Sequence, residues 1–263
     1  MIQLAIAGAA GRMGLRIYTL ASADPRFEIA AVLEKTGHAR IGEDVGECAG
    51  LGRTHLPIQD RTETDFDVLI DFSTPAGTIH WLEYCLARRR PIIIGTTGHT
   101  PEQLVQIDAA TREIAVLKAA NMSVGVNLLF KLVAEVAAAL GDDYDVEIVE
   151  AHHRFKADAP SGTAMTLRDA ILRATGRDPD ADVIYGRRGV TGQRPPRQIG
   201  MHALRLGDTV GEHEIHFGNL GETITLKHSA HTRDTFVHGA LRAAAWLVDK
   251  PPGRYDMRDV LGM

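Results

Sequence analysis

The chain has 263 residues, 44% of them hydrophobic and 24% charged, which is ordinary globular usage and excludes a disordered, collagenous or coiled-coil protein. At ~150 residues per domain this length suits one large domain or two modest ones. Lys and Arg total 29 against 34 Asp and Glu, a formal charge of −5, which argues against nucleic acid or anionic lipid as the main partner. Cys48 and Cys85 show neither disulfide-framework nor zinc-ligand spacing, so no metal is expected and a reducing cytoplasm fits. The opening MIQLAIAGAAG has no basic residue before it and runs straight into glycines, so it reads as a strand and not as a signal peptide. The most apolar helical stretch, Val124 to Leu140, is interrupted by Asn127, Lys131 and Glu135. It falls short of the ~20 apolar residues that span a bilayer, and no membrane partner is expected.

From residue 1 to about 120, short apolar runs alternate with helix-patterned stretches, the mark of a parallel sheet covered by helices. The runs are IQLAIAG, FEIAAVLE (27–34), DFDVLIDFS (65–73), PIIIGTTG (91–98) and EIAVLKAAN (113–121), apolar almost throughout as strands buried on both faces should be. Helices are expected at Arg12–Ser22, at Ala76–Arg89 after Ser73-Thr74-Pro75, and at Pro101–Arg112 with Thr100 as N-cap. After Asn121 the pattern changes. Ser123 opens a long helix to Leu140, residues 143–153 read as a strand, and a helix follows at Gly162–Thr175. Runs at 199–207, 210–218 and 221–230, separated by Gly-containing turns, read as an antiparallel meander. The segment 176–198 carries no period and reads as a long loop, and residues 233–248 return to a helical pattern. The fold class is therefore α/β: a Rossmann-like dinucleotide-binding domain plus a central α+β domain with a mixed, largely antiparallel sheet.

The first chemical candidate is GAAGRMG, Gly8 to Gly14, between the first strand and the first helix. Glycines let the backbone turn tightly against a pyrophosphate, and the helix N-terminus offers N–H groups and a positive dipole end. Glu34 follows Gly14 by twenty residues, where a carboxylate accepts hydrogen bonds from ribose hydroxyls. Lys35 is placed to neutralise a 2′-phosphate, so both NADH and NADPH are expected as cofactors. GTTG (95–98) and AANMSVGVN (119–127) lie just past strand ends, the ligand edge of open α/β sheets. The densest polar cluster is EAHHRFKADAPSGTA, Glu150 to Ala164. His152, His153, Arg154 and Lys156 followed by Ser161, Gly162 and Thr163 at a helix start form a receptor for carboxylates, and histidine titrates where proton transfer needs it. The substrate is thus expected to be anionic. Adjacent histidines on a strand point to opposite faces, which disfavours a metal. His202, His213, His216 and His228 read as mostly structural or exposed.

Together GAAGRMG, Glu34, DFSTP (71–75), IGTTG (94–98), AANMSVGVN, EAHHRFKADAPSGTA, VGEHEIHF (210–217) and DMRDVL (256–261) resemble the dihydrodipicolinate reductases, also called 4-hydroxy-tetrahydrodipicolinate reductases, over nearly the full length. The resemblance implies a dinucleotide-binding domain made of both chain ends (1–122 and 233–263), hinged to a substrate-binding and oligomerisation domain (123–232) of a cytoplasmic homotetramer. It implies His152 as general acid/base, Lys156 as a second proton donor, and His153, Gly162 and Thr163 as holders of the carboxylates of a small cyclic dicarboxylate. Gly8, Ala9, Ala10, Gly11, Arg12, Met13, Glu34, Lys35, Gly95, Thr96, Thr97, Ala119, Ala120, Asn121 and Met122 would line the cofactor. Many members carry Arg at the position of Lys35 and an aromatic at that of Met122. An amino-acid or semialdehyde dehydrogenase is the rival enzyme reading, disfavoured by the lack of a placed cysteine nucleophile. A redox-sensing NAD(P)H-binding protein is the non-catalytic one.

Overall fold

In the computed structural model, which describes residues 1–263, the chain divides into two compact units, Met1–Val124 with Asp234–Met263, and Gly125–Arg233. The elements of the first unit are β1 (Ile2–Ala7), α1 (Arg12–Ser22), β2 (Phe27–Leu33), α2 (Val45–Cys48), β3 (Val68–Asp71), α3 (Pro75–Arg88), β4 (Ile92–Ile94), α4 (Pro101–Ala110) and β5 (Ala115–Lys118). The second unit carries α5 (Val124–Leu140), β6 (Asp145–His152), α6 (Gly162–Thr175), β7 (Val183–Tyr185), β8 (Ile199–Arg205), β9 (Gly211–Asn219) and β10 (Glu222–Ala230). The chain then returns to the first unit with α7 (Asp234–Leu247), β11 (Gly253–Tyr255) and α8 (Met257–Leu261).

The first unit is a six-stranded parallel sheet in the order β11-β5-β4-β3-β1-β2. Alternation along β1 builds both faces: Leu4 and Ile6 join the core beneath α1 and α7, and Ala5 and Ala7 the core beneath α3 and α4. Helix α1 buries Gly14, Ile17, Tyr18 and Ala21, the i, i+3, i+4, i+7 stripe of an amphipathic helix. Each fully buried aliphatic side chain of this kind contributes about 1.5–3 kcal/mol over an exposed one. The start signals work as their chemistry requires: Thr74 Oγ1 accepts from the Gly77 amide at 3.1 Å, and Thr100 and Gln103 form a reciprocal capping box. Strand order reverses beside β1, with β2 on one flank and β3 on the other, and such a reversal is where open α/β sheets bind ligands.

The second unit is a five-stranded mixed sheet, β10-β9-β6-β8-β7. Its two antiparallel pairings, β10·β9 and β9·β6, are balanced by two parallel ones, β6·β8 and β8·β7. The expected meander is thus corrected: β6 inserts between β8 and β9, which are consecutive in sequence but not neighbours. The expected loop 176–198 contains β7, a three-residue edge strand beside β8. Val146 and Ile148 of β6, Ile199 and Met201 of β8, and Ile215 and Phe217 of β9 share the core with Leu129, Val133 and Ala137 of α5 and Leu167 and Ile171 of α6. With the 3₁₀ turn at Gly141–Asp143, α5 continues to 20 residues, long and apolar enough by length and composition alone to cross a membrane. Its stripe of Leu129, Val133 and Ala137 is that of a helix laid on a sheet.

Candidate active site

In the first unit, the residues singled out from the sequence lie in loops after the carboxyl ends of β1, β2, β4 and β5. Gly8 has φ +74°, and a Cβ there would collide with the Phe72 carbonyl beyond β3, so only glycine lets the two loops approach. Gly14 faces the Gly8 carbonyl in the same way, which seats α1 against the turn. Gly11, the N-cap of α1, brings no side-chain cap, leaving the first-turn amides of Arg12 and Met13 for an external anion. The Glu34 carboxylate accepts from the Ala10 amide at 3.4 Å and from the Lys35 amide at 3.0 Å. It ties the glycine turn to the end of β2 and keeps acceptor capacity for hydroxyls. The backbone cradle and the carboxylate together fit a dinucleotide.

Behind these loops sits Asp71, fully buried at the end of β3 and not recognised from the sequence. It accepts from the hydroxyls of Ser73 and Thr78, from the Ser73 amide at 3.0 Å and from the Thr96 hydroxyl at 2.9 Å. Burial pushes its pKa up while these hydroxyls pull it down, with the net shift upward. Asp71 therefore holds the loops after β3 and β4 in mutual register, including the Gly95-Thr96-Thr97 segment. Ala119, Ala120 and Asn121 follow β5, and the Asn121 side chain accepts from the Ser123 amide at 2.8 Å. Met122 belongs to the core, at 2% exposure, with its carbonyl packed against Gly239 of α7.

In the second unit, sheet register does the assembling. On β6 the apolar residues Val146 and Ile148 are followed on the same face by Glu150 and His152. Arg205 on β8 lies opposite His152, and His213 on β9 opposite Glu150. One end of the helix-covered face thus carries four polar side chains. Glu150 is fully buried and saturated with donors. Arg205 forks onto it with Nη1 to Oε2 at 2.9 Å and Nη2 to Oε1 at 2.8 Å, the Ser161 amide reaches Oε1 at 3.1 Å, and His152 Nδ1 lies 2.6 Å from Oε2. Burial alone would raise the Glu150 pKa, but Arg205 and His152 outweigh it and the carboxyl is held below its ordinary range.

Ser161 caps α6 by accepting from the Ala164 amide at 3.2 Å, and its hydroxyl is 3.1 Å from His213 Nε2. Gly162, at the first helical position, faces open space, with Thr163 next in the turn. Burial, then neighbouring His152, push the His213 pKa down to about 3, so this ring is neutral beside His152 at 5.3 Å between centroids. His152 itself is lowered from 6.5: burial dominates, the Glu150 contact opposes it, and Lys156 and Arg205 add to the lowering. Lys156 Nζ pairs with Asp158 at 2.9 Å. His153 has a buried Nδ1 with no protein partner, and its ring is 6.3 Å from the largely exposed Phe155.

Sequence reasoning placed His152, His153 and Lys156 in one cluster running from Glu150 to Ala164, but gave Glu150 no role and missed Arg205 and His213 as members. The signal was the alternation in VEIVEAH and GEHEIHF, which puts Glu150, His152 and His213 on the apolar face, where a charge needs a partner. No group of three or more His, Cys, Asp or Glu side chains is gathered in metal-binding geometry.

Comparison with known proteins follows the same division. The family described as "Dihydrodipicolinate reductase, N-terminus" matches residues 2–122, and "Dihydrodipicolinate reductase, C-terminus" matches residues 125–261. Over 266 aligned positions covering both chains entirely, the chain is 46% identical to 4-hydroxy-tetrahydrodipicolinate reductase of Geotalea uraniireducens and 47% identical to that of Geobacter sulfurreducens. Dipicolinate-bound dihydrodipicolinate reductase from Paenisporosarcina sp. TG-14 superposes with a TM-score of 0.75 at 25% identity over 97% of each chain. GenD2 from gentamicin A biosynthesis, solved in complex with NAD, shares the fold with a TM-score of 0.60 at 13% identity over 99% of this chain and 90% of its own. The chain belongs to the dihydrodipicolinate reductase family and is an NAD(P)H-dependent oxidoreductase.

Proposed function

We propose that this protein reduces 4-hydroxy-tetrahydrodipicolinate to tetrahydrodipicolinate in diaminopimelate and lysine biosynthesis. The observation that carries this reading is the buried cluster of Glu150, His152, Arg205 and His213 beside the α6 N-terminus. It sets a titratable imidazole beside the N-terminal amides of α6, with Arg154 and Lys156 in the adjoining loop as the cations suited to a dicarboxylate. The first unit, with Gly8–Met13, Glu34, Lys35, Gly95–Thr97 and Ala119–Met122, holds the dinucleotide, either NADH or NADPH. The second unit, Gly125–Arg233, holds the substrate and the subunit contacts of a homotetramer. Self-association is supported by β10, a nine-residue edge strand whose side chains are mostly exposed. A cytoplasmic location follows from the biosynthetic reaction.

The cofactor supplies a hydride, which is destined for C4 of the cyclic unsaturated imine. The protein's own residues do the rest. His153, Gly162 and Thr163 orient the substrate carboxylates. His152 gives up the proton that relieves charge developing toward the ring nitrogen, with Lys156 as second donor. The 4-hydroxyl leaves as water to give that unsaturated imine, and one hydride and one proton then enter per turnover, so substrate, NAD(P)H and a proton give tetrahydrodipicolinate, NAD(P)+ and water. His152 is held neutral before substrate arrives, and two carboxylates beside it favour the imidazolium, so the dianion helps to protonate its own acid.

Absorbance at 340 nm in the presence of enzymatically generated substrate tests the reading. Steady loss of NADH and of NADPH is expected. Binding of either cofactor without turnover would favour a redox sensor and overturn it.

A further inference from the structure

We propose that Glu150 is a positioning residue for His152, and that Arg205 and Gly211 complete the device; this rests on His152 being the proton donor. An ionised carboxylate only accepts, so the 2.6 Å contact between Glu150 Oε2 and His152 Nδ1 requires the proton to be on Nδ1. Neutral His152 is thereby fixed in one tautomer, with its lone pair on Nε2. That nitrogen is the one that takes up a proton and passes it on.

The carboxylate cannot turn to suit another partner. Its acceptor sites are taken by both arms of the Arg205 fork, by the Ser161 amide and by His152. Arg205 is held in turn, with Nη2 donating to the Asp158 carbonyl at 2.6 Å, so one guanidinium locks β8, β6 and the loop before α6 around the imidazole. Gly211 guards the opposite nitrogen. A Cβ there would stand 3.1 Å from His152 Nε2, so a side chain would crowd the atom that must exchange the proton.

The charges set the titration as well as the orientation. The groups facing His152 are Glu150 on its own strand, Arg205 on β8, neutral His213 on β9, and Lys156 paired with Asp158 in the following loop. Glu150 stabilises the imidazolium, and Arg205, by compensating Glu150, limits that stabilisation. Removing either charge should therefore move the His152 titration in opposite directions, which general loosening of the fold would not do.

The test is long-range ¹H–¹⁵N spectroscopy of the histidines in the full-length protein, together with pH profiles of kcat/KM. In the wild type at alkaline pH, His152 should show a pyrrole-type Nδ1 and a pyridine-type Nε2. Glu150→Gln should mix the tautomers and lower kcat on the order of 10²-fold, as loss of an orienting partner does, with substrate KM changed only a few-fold. It should also shift the His152 limb to lower pH. Arg205→Met should shift that limb to higher pH, and Gly211→Ala should lower kcat with the Nδ1–H tautomer intact. An Nε2–H tautomer in the wild type, or shifts of the same sign in the Glu150 and Arg205 variants, would overturn the proposal. If Glu150→Gln does not fold, the wild-type tautomer and the Arg205→Met profile still decide it. Normal turnover in His152→Gln would instead remove the proton-donor role and leave the tautomer result standing.

Discussion

The carboxyl edge of the parallel sheet in the first unit and the end of β6 in the second are both polar sites at strand termini, built from opposite materials. The first is made of backbone and absent side chains: Gly8 at φ +74°, Gly14 against a carbonyl, and a glycine-capped α1. Its buried charge, Asp71, serves to join loops. The second is crowded with ionisable groups whose protonation states are set by one another, with Glu150 held down, His213 lowered to about 3 and His152 lowered by burial. An extended pyrophosphate-bearing molecule needs room and oriented N–H dipoles. A small dianion that must receive a proton needs cations and a titratable donor.

The contrast can be broken most forcefully at the charged site. His152→Gln should lower kcat ~10²–10⁴-fold, the range for a lost general acid, with modest change in substrate KM by steady-state kinetics. At the backbone site the matching change is Gly8→Ala, which forces a left-handed conformation costing about 1–3 kcal/mol and drives a methyl into the Phe72 carbonyl. Calorimetry should show a lower thermal midpoint, on the order of 5 °C, and titration should show weakened NADH binding. Here affinity fails before chemistry does.

Acidification separates the two sites through stability. The folded state holds His213 at a pKa of about 3 against an ordinary 6.5, so the unfolded chain binds more protons between those values. Stability is full above pH 6.5 and falls as the pH drops toward 3, by up to about 1.4 kcal/mol per pH unit for a single group. Between pH 6.5 and 4.5 the carboxylates add little, and urea midpoints should fall with a slope that His213→Asn flattens. Smallest is the effect at exposed Lys35. Lys35→Ala should raise KM for NADPH about two- to five-fold, the scale of an exposed charge contact, with KM for NADH unchanged.

The backbone site was the more legible of the two in the sequence, because a glycine requirement is local: GAAGRMG states its turn within seven residues. The parallel strands were legible for a similar reason, since burial on both faces leaves runs such as III at 92–94 that need no partner to be recognised. Arg205 meets Glu150 across 55 positions, and only the parallel register of β8 on β6 makes that pair. His213 looked incidental because its meaning lies in the residue across the strand. The insertion of β6 between β8 and β9 is likewise a non-local choice, invisible to alternation within each run. The three-residue strands β7 and β11, VIY and GRY, are too short to carry a period, and the sheets beside them complete them as edges.

The most direct measurement follows a label through the reaction. With NADH carrying deuterium at the transferring position of C4 and enzymatically generated 4-hydroxy-tetrahydrodipicolinate, the product should contain one deuterium at its ring C4, located by NMR, for each NADH consumed. Unlabelled product, or cofactor oxidation without formation of tetrahydrodipicolinate, would contradict the assignment of this chain as a reductase of that substrate.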